Sequence, residues 1–210
     1  MDLIDLRNVS DLTGIDINMV DTNTLAPEME PNRQLYFMAK SREYVKRKSE
    51  ELGRNLTVHI TTFGCQMNQH DSERVSGLLD SYGCLMALDP EHADIVVFMT
   101  CCVREAADTR LYGQCNSCKS LPPSPSGKRV VAVGGCIAQR DGEGLLTNVD
   151  NVNVIFGTHS IAHVAELIAE AFLDGKRHIR TNEHEDTDAM SMPWHRETQY
   201  HAWVPILSLI

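Results

Sequence analysis

Short hydrophobic runs alternate with longer amphipathic stretches through the middle of the chain. The runs are rich in β-branched residues, which is typical of buried strands, and they lie at residues 56–62, 95–99, 129–133 and 152–156. The stretches with helical spacing of apolar residues predict helices at residues 35–52, 69–82, 104–119 and 161–173, with a shorter one near Gln139. This alternation predicts an α/β fold in which a parallel sheet carries helices on both faces.

The two ends of the chain do not show this alternation. Residues 1–34 are acidic and irregular, with prolines near the end, and they predict a poorly ordered leader. Residues 35–55 contain the predicted N-terminal helix, and residues 56–173 the α/β domain. Residues 174–210 are polar and predict a linker. We therefore expect one α/β domain between an irregular N-terminal leader and a polar C-terminal tail.

Composition narrows the classes of function. The formal net charge of −10 argues against a free-standing nucleic-acid binder, because phosphate contacts need clustered Lys and Arg. The N-terminus lacks the basic and apolar segments of a secretory signal, and the apolar runs are too short to span a bilayer. These features predict a cytoplasmic protein without membrane contact. Seven cysteines in such a protein are more typical of metal ligands, catalytic thiols or buried thiols than of disulfides.

Three cysteines stand in matching places after three predicted strands. Cys65 follows the first strand, Cys101 the second and Cys136 the third. Parallel strands end at one edge of a sheet, where ligand sites form, so we expect these thiols to converge. Thiolates are soft ligands that suit iron–sulfur clusters, zinc or Cu(I). Single cysteines are often merely buried, but three in equivalent positions favour a shared metal site.

The other four cysteines fit this pattern less well. Cys102 adjoins Cys101, and neighbouring side chains rarely reach the same small site. Cys84 follows a predicted helix end, which favours a packing role. Cys115 and Cys118 form a C-x-x-C inside a predicted helix, and a lone pair of this kind is a weak signal for zinc or redox chemistry.

Polar residues beside Cys65 have two interpretations. Asn68, followed three residues later by Asp71, resembles a helix N-cap with an acidic first turn. Gln66 and Asn68 are also placed to donate hydrogen bonds to sulfur atoms around a metal centre. The sequence alone leaves both interpretations open.

Three segments around the cysteines resemble the motifs of the tRNA methylthiotransferases. They are residues 62–73 (TFGCQMNQHDSE), 100–105 (TCCVRE) and 135–139 (GCIAQ), and residues 156–159 (FGTH) also fit. The resemblance extends from about residue 35 to residue 206, and the three cysteine motifs together are highly specific. Phe63 and the Gln-Met-Asn after Cys65 resemble the MiaB type within this family.

This resemblance implies a function and a set of cofactors. It implies an iron–sulfur domain over residues 56–173 of a radical S-adenosylmethionine (SAM) transferase that methylthiolates C2 of isopentenyl-adenosine next to the anticodon of tRNA. Cys65, Cys101 and Cys136 would hold an auxiliary 4Fe-4S cluster whose open iron delivers sulfur. A second 4Fe-4S cluster, S-adenosylmethionine and much of the tRNA contact would belong to further domains.

The end of the chain resembles the start of the radical SAM domain. The family would continue from about residue 206 into a second cluster motif, C-x-x-x-C-x-x-C, whereas no cysteine follows Cys136 here. We therefore expect a fragment that lacks catalytic activity alone, with a separate chain carrying the radical domain as a candidate partner. Two alternatives remain open: a non-enzymatic metal-binding or redox module using Cys115 and Cys118, and a vestigial fragment without metal.

Overall fold

One six-stranded parallel sheet organises the part of the chain described by the computed structural model, residues 3–10, 14–29, 31–102 and 107–181. In chain order the strands are β1 (Thr57–Phe63), β2 (Leu85–Met86), β3 (Ile95–Thr100), β4 (Val130–Gly135), β5 (Val154–Phe156) and β6 (His178–Arg180). The α-helices are α1 (Asn32–Leu52), α2 (Gln66–Ser81), α3 (Ala107–Ser117), α4 (Cys136–Asp141) and α5 (Val164–Asp174). The strand order is β2-β1-β3-β4-β5-β6, and the predicted α/β class is confirmed.

The central strands are buried because helices cover both faces of the sheet. All residues of β3 and β4 are buried, and successive side chains of β3 point to opposite faces. Ile95, Val97 and Met99 pack with α1, α2 and α5, whereas Val96 and Phe98 pack with α3 and α4. No helix of the described residues is long and apolar enough to cross a membrane.

The outermost strands are absent from the sequence prediction. β2 has two residues and β6 three, and their side chains are exposed or only partly buried, so neither produces a hydrophobic run. β6 lies inside the segment predicted as a linker, which is a correction to that prediction. The rest of the tail, residues 182–210, lies outside the described residues. The predicted start of a radical SAM domain falls there.

The N-terminal segment is irregular, as expected, but it packs against α1. It contains two short 3-10 helices, Leu6–Asn8 and Ile17–Met19, and a bridge between Ile4 and Val20. Leu6 and Val20 are buried in a small hydrophobic cluster with Tyr36 and Ala39 of α1. This packing orders a segment whose acidic sequence predicted a poorly ordered leader.

A buried carboxylate ties three central strands together at their amino edge. Asp94 precedes β3, and its side chain is inaccessible to solvent. The guanidinium of Arg54 donates a hydrogen bond to each of its carboxylate oxygens, at 2.8 and 3.0 Å. The backbone amides of Thr57 and Ser126 also donate to it, at 3.0 and 2.8 Å. Because these donors precede or begin β1 and β4, one side chain stabilises the alignment of β1, β3 and β4.

Candidate metal centre at the carboxyl edge

The register of the sheet places the three predicted ligands at one edge. Phe63 of β1 pairs with Thr100 of β3, and Thr100 pairs with Gly135 of β4. Cys101 and Cys136 directly follow these aligned residues, and Cys65 follows two positions after Phe63. The three cysteines therefore follow the carboxyl ends of adjacent parallel strands, at the edge of the sheet where the sequence predicts them. Their role as ligands stays a prediction.

The three thiols differ in exposure, and their sulfur atoms interact electrostatically. Cys101 is buried, whereas Cys65 and Cys136 are partly exposed, so the site opens to solvent on one side. Burial raises the pKa of Cys136 to about 11, with smaller contributions in the same direction from the sulfurs of Cys102, Cys101 and Cys65. A hydrogen bond from the backbone of Cys102 opposes this rise in pKa. The cysteines of the three strand ends thus share one electrostatic environment.

Two glycines allow the loops to come this close. A Cβ atom at Gly64 would lie 2.9 Å from Cβ of Cys101 and would also overlap the amide of Asn68. Gly135 has a φ of +93°, a conformation that favours glycine, and a Cβ atom there would overlap the carbonyl oxygen of Thr100. Larger residues at either position would separate the cysteine-bearing loops.

The structure corrects the N-cap interpretation of Asn68. Helix α2 begins at Gln66 with Cys65 as its N-cap residue, so Asn68 lies inside the first turn, and that turn contains no acidic residue. The side chain of Asn68 is completely buried, whereas Gln66 is exposed. Asn68 Nδ2 donates a hydrogen bond to Cys65 Sγ at 3.7 Å. Of the two polar residues, Asn68 is the one that contacts a cysteine sulfur.

Cys102 lies close to Cys136, one of the three candidate ligands. Its thiol is exposed, its backbone donates a hydrogen bond to Cys136, and its sulfur acts on the pKa of Cys136. The signal for this lay in the sequence, because the residue after a strand-end cysteine also lies at the carboxyl edge. The sequence argument against a role as a ligand was that the side chains of neighbouring residues rarely reach the same small site.

The other three cysteines are packing residues. Cys84 lies in the core between the sheet and α1, α2 and α5, while Cys115 and Cys118 lie in the core on the opposite face. Burial raises the pKa of Cys84 to about 12 and that of Cys115 to about 12, and it also raises the pKa of Cys118. Thiols that resist ionisation are poor nucleophiles. The C-x-x-C pair is thus packed in an apolar core as two thiols of low reactivity.

These environments predict which thiols react with an alkylating agent. In cluster-free protein at pH 8, we expect iodoacetamide to modify Cys102 at least about 100-fold faster than Cys84 or Cys115, because only the thiolate attacks and the buried thiols stay protonated. Peptide mass spectrometry over time measures each rate. Denaturant should remove the difference, and rapid labelling of Cys115 in the native protein would contradict the packing role.

The spacing of the strand ends suits a cluster better than a single ion. Within the described residues, no group of three or more His, Cys, Asp or Glu side chains is arranged to hold a metal ion. Adjacent strands lie about 4.8 Å apart, so three neighbouring strand ends extend over roughly 10 Å. A single zinc ion needs thiolates at about 2.3 Å from the metal. The irons and sulfides of a cubane cluster span more of the roughly 10 Å between the strand ends than one zinc ion does. Three thiols are suitable ligands for such a cluster, and the buried amide of Asn68 is a suitable hydrogen-bond donor to its sulfur atoms.

Comparison with known proteins matches the same region of the chain. Residues 57–157, from the start of β1 to the turn after β5, match the family described as "Uncharacterized protein family UPF0004". We call the segment that matches this family the UPF0004 domain. It contains all three strand-end cysteines, and the relatives below confirm the resemblance to tRNA methylthiotransferases stated from the cysteine motifs.

The UPF0004 domain and its flanks are similar to several tRNA-2-methylthio-N(6)-dimethylallyladenosine synthases. The protein of Nocardioides sp. is 40% identical over 150 residues, which is 71% of this chain and 30% of the relative. The protein of Mycobacteroides abscessus is 44% identical over 151 residues, covering 71% and 29%, and that of Streptomyces coelicolor is 40% identical over 163 residues, covering 76% and 32%. The chain thus spans about 30% of the length of these relatives.

Proposed function

We propose that Cys65, Cys101 and Cys136 hold a 4Fe-4S cluster and that the UPF0004 domain supplies sulfur for the methylthiolation of tRNA. The observation that carries this proposal is the register of β1, β3 and β4, which brings one cysteine from each strand end to the same edge. The names of the relatives supply the substrate class, an adenosine of tRNA with an N(6)-dimethylallyl group that receives a methylthio group at C2.

The number of thiols determines what the bound group could do. A cubane cluster usually takes four cysteine ligands, and three leave one iron with an open coordination position. When bound, the cluster would supply that position for the sulfur that is transferred. The partly exposed side of the site, at Cys65 and Cys136, is where a sulfur source and the tRNA base would approach.

The protein around the thiols supports such a role in two ways. Buried Cys101 and the absence of side chains at Gly64 and Gly135 keep the inner side of the site closely packed, which limits the access of water and oxygen. The exposed side remains open, so the same group can meet a large substrate.

Other parts of the activity require sequence beyond the UPF0004 domain. Radical chemistry is performed by a cofactor that the protein binds and orients, and the cysteines of this chain provide for a single cluster. We propose that the second 4Fe-4S cluster, S-adenosylmethionine and most tRNA contacts belong to further domains, in the same or a separate chain. The net charge of −10 agrees with tRNA contacts outside this domain. Modification of tRNA would place the protein in the cytoplasm.

Iron and sulfide analysis tests the proposal directly. We expect the protein, purified and reconstituted without oxygen, to bind about four irons and four sulfides per chain, because the three thiols match one cubane cluster. Colorimetric iron and sulfide assays and the visible absorption spectrum measure this. One zinc without sulfide would instead support a C-x-x-C metal site, and no metal at all would support a vestigial domain, so either result would contradict the proposal.

A further inference from the structure

The side chain of Asn68 lies between the loops that carry the candidate ligands. A Cβ atom at Gly64, in the loop after β1, would overlap Asn68 Nδ2, and one at Gly135, at the end of β4, would lie 3.3 Å from Asn68 Oδ1. The carboxamide is thus wedged between the backbone before Cys65 and the backbone before Cys136. A side chain in this position controls the distance between the two loops.

A short hydrogen-bonded chain holds the backbone from which this carboxamide extends. Ser72 Oγ donates to the backbone carbonyl of Asn68 at 2.7 Å, and the hydroxyls of Ser72 and Thr62 are 2.7 Å apart. Thr62 belongs to β1, so the first turn of α2 is tied to the strand that leads to Cys65. The backbone of Asn68 is therefore held near β1, and its side chain is completely buried beside the Cys65 sulfur.

The polar atoms of Asn68 are not explained by the stability of the fold. Oδ1 is buried and has no hydrogen-bond partner among the described residues, and Nδ2 is within hydrogen-bonding distance of a sulfur, which is a weak acceptor when neutral. An unsatisfied buried polar atom costs about 1–3 kcal/mol. A leucine of similar shape would avoid this cost. A buried amide that does not benefit folding, placed against a candidate ligand, indicates a role in the bound state.

We propose that Asn68 is a positioning residue that donates a hydrogen bond to the Cys65 thiolate and thereby controls how tightly the cluster is held and how easily it is reduced. This inference rests on the function proposed above. A hydrogen bond to a thiolate is stronger than one to a thiol because the acceptor is charged. Hydrogen bonds to ligand sulfurs also stabilise the more negative, reduced cluster and so raise its reduction potential.

The decisive variant is Asn68→Leu, because it separates positioning from packing. Leucine keeps the approximate shape and removes both the donor and the unsatisfied Oδ1. We expect the melting temperature of the metal-free protein to stay the same or rise, while an iron chelator removes iron from the reconstituted protein about ten-fold faster or more. We also expect the reduction potential of the cluster, measured by anaerobic titration, to become more negative.

Asn151→Leu is the matched control. The Nδ2 atom of Asn151 donates to the carbonyl oxygen of Cys115 at 2.6 Å, on the face of the sheet that packs α3. Its removal leaves that carbonyl without this donor and should lower the melting temperature, but iron release and reduction potential should not change. The two variants are thus expected to have opposite effects on folding and on the cluster.

A second variant, Asn68→Asp, keeps the shape and replaces the donor with an acceptor. It should also release iron faster and lower the reduction potential. Unchanged iron release and potential in a folded Asn68 variant would overturn the inference while leaving the cluster assignment intact. If both variants fail to fold without iron, Asn68 is a packing residue and the inference is wrong. If the unmodified protein binds no iron, the proposed function itself fails.

Discussion

Replacement of Cys65, Cys101 or Cys136 by alanine, one at a time, lowers the iron content of the reconstituted protein from about four per chain to less than about one. Each change leaves two thiolates, too few to hold a cubane against chelation. The loss should be largest for Cys101, whose buried position leaves no room for a solvent molecule to replace the thiolate. Iron and sulfide assays on anaerobically reconstituted variants provide the measurement.

Cys102→Ala is the matched control for these variants. It lies beside Cys101 and at the same edge of the sheet, but its thiol is exposed and no motif assigns it a ligand role. We expect it to keep its full iron and sulfide content. If Cys102→Ala lost as much iron as Cys101→Ala, the set of three ligands proposed here would be wrong. Retention of the cluster by Cys101→Ala would contradict it equally.

The largest effect on stability is expected at the opposite edge of the sheet. Asp94→Asn removes the charge that Arg54 pairs with and places an amide donor against the backbone amides of Thr57 and Ser126. Breaking a buried ion pair by changing one partner costs about 3–5 kcal/mol, and the partial exposure of Arg54 places the expected loss near the lower end. The free energy of unfolding, from urea denaturation monitored by circular dichroism, measures it.

The pH dependence of this effect has a defined sign. Burial alone would raise the pKa of Asp94, but hydrogen bonds from Arg54, Thr57 and Ser126 outweigh it and lower the pKa below its usual range. The carboxylate therefore contributes its stability above the unfolded-state pKa of about 3.9, and this contribution is lost as the pH falls through the lower folded-state value. The difference between wild type and Asp94→Asn should be constant near neutrality and shrink below about pH 4.

Asp89→Asn controls for the removal of one negative charge. The side chain of Asp89 is 49% exposed and is bonded locally, to His92 at 2.7 Å. Exposed pairs contribute little because water and salt screen them, so we expect no resolvable change in the free energy of unfolding. An equal loss at both positions would mean that net charge, and not the alignment of the three strands, underlies the effect at Asp94.

The sequence by itself determined the layered architecture and the place of the cysteines. Hydrophobic runs such as residues 95–99 predict buried strands because both faces of a parallel sheet are covered. Since parallel strands share a carboxyl edge, the positions of Cys65, Cys101 and Cys136 after such runs were sufficient to predict their convergence. Local pattern carries this information because strand direction and side-chain alternation repeat regularly along the chain.

Only the tertiary structure decided which polar residue meets a sulfur and how close Cys102 comes to Cys136. Asn68 has the sequence pattern of an N-cap, but helix α2 begins at Gln66, and this shift turns the amide inward onto Cys65. The proximity of Cys102 to Cys136 depends on how two loops from adjacent strands pack. The short edge strand β6 exists because β5 offers it a partner along its free edge. The contact of Asn68 with Cys65 depends on the residue at which α2 begins, and the other two features are contacts between segments distant in sequence. The pattern of hydrophobic and polar residues encodes none of the three.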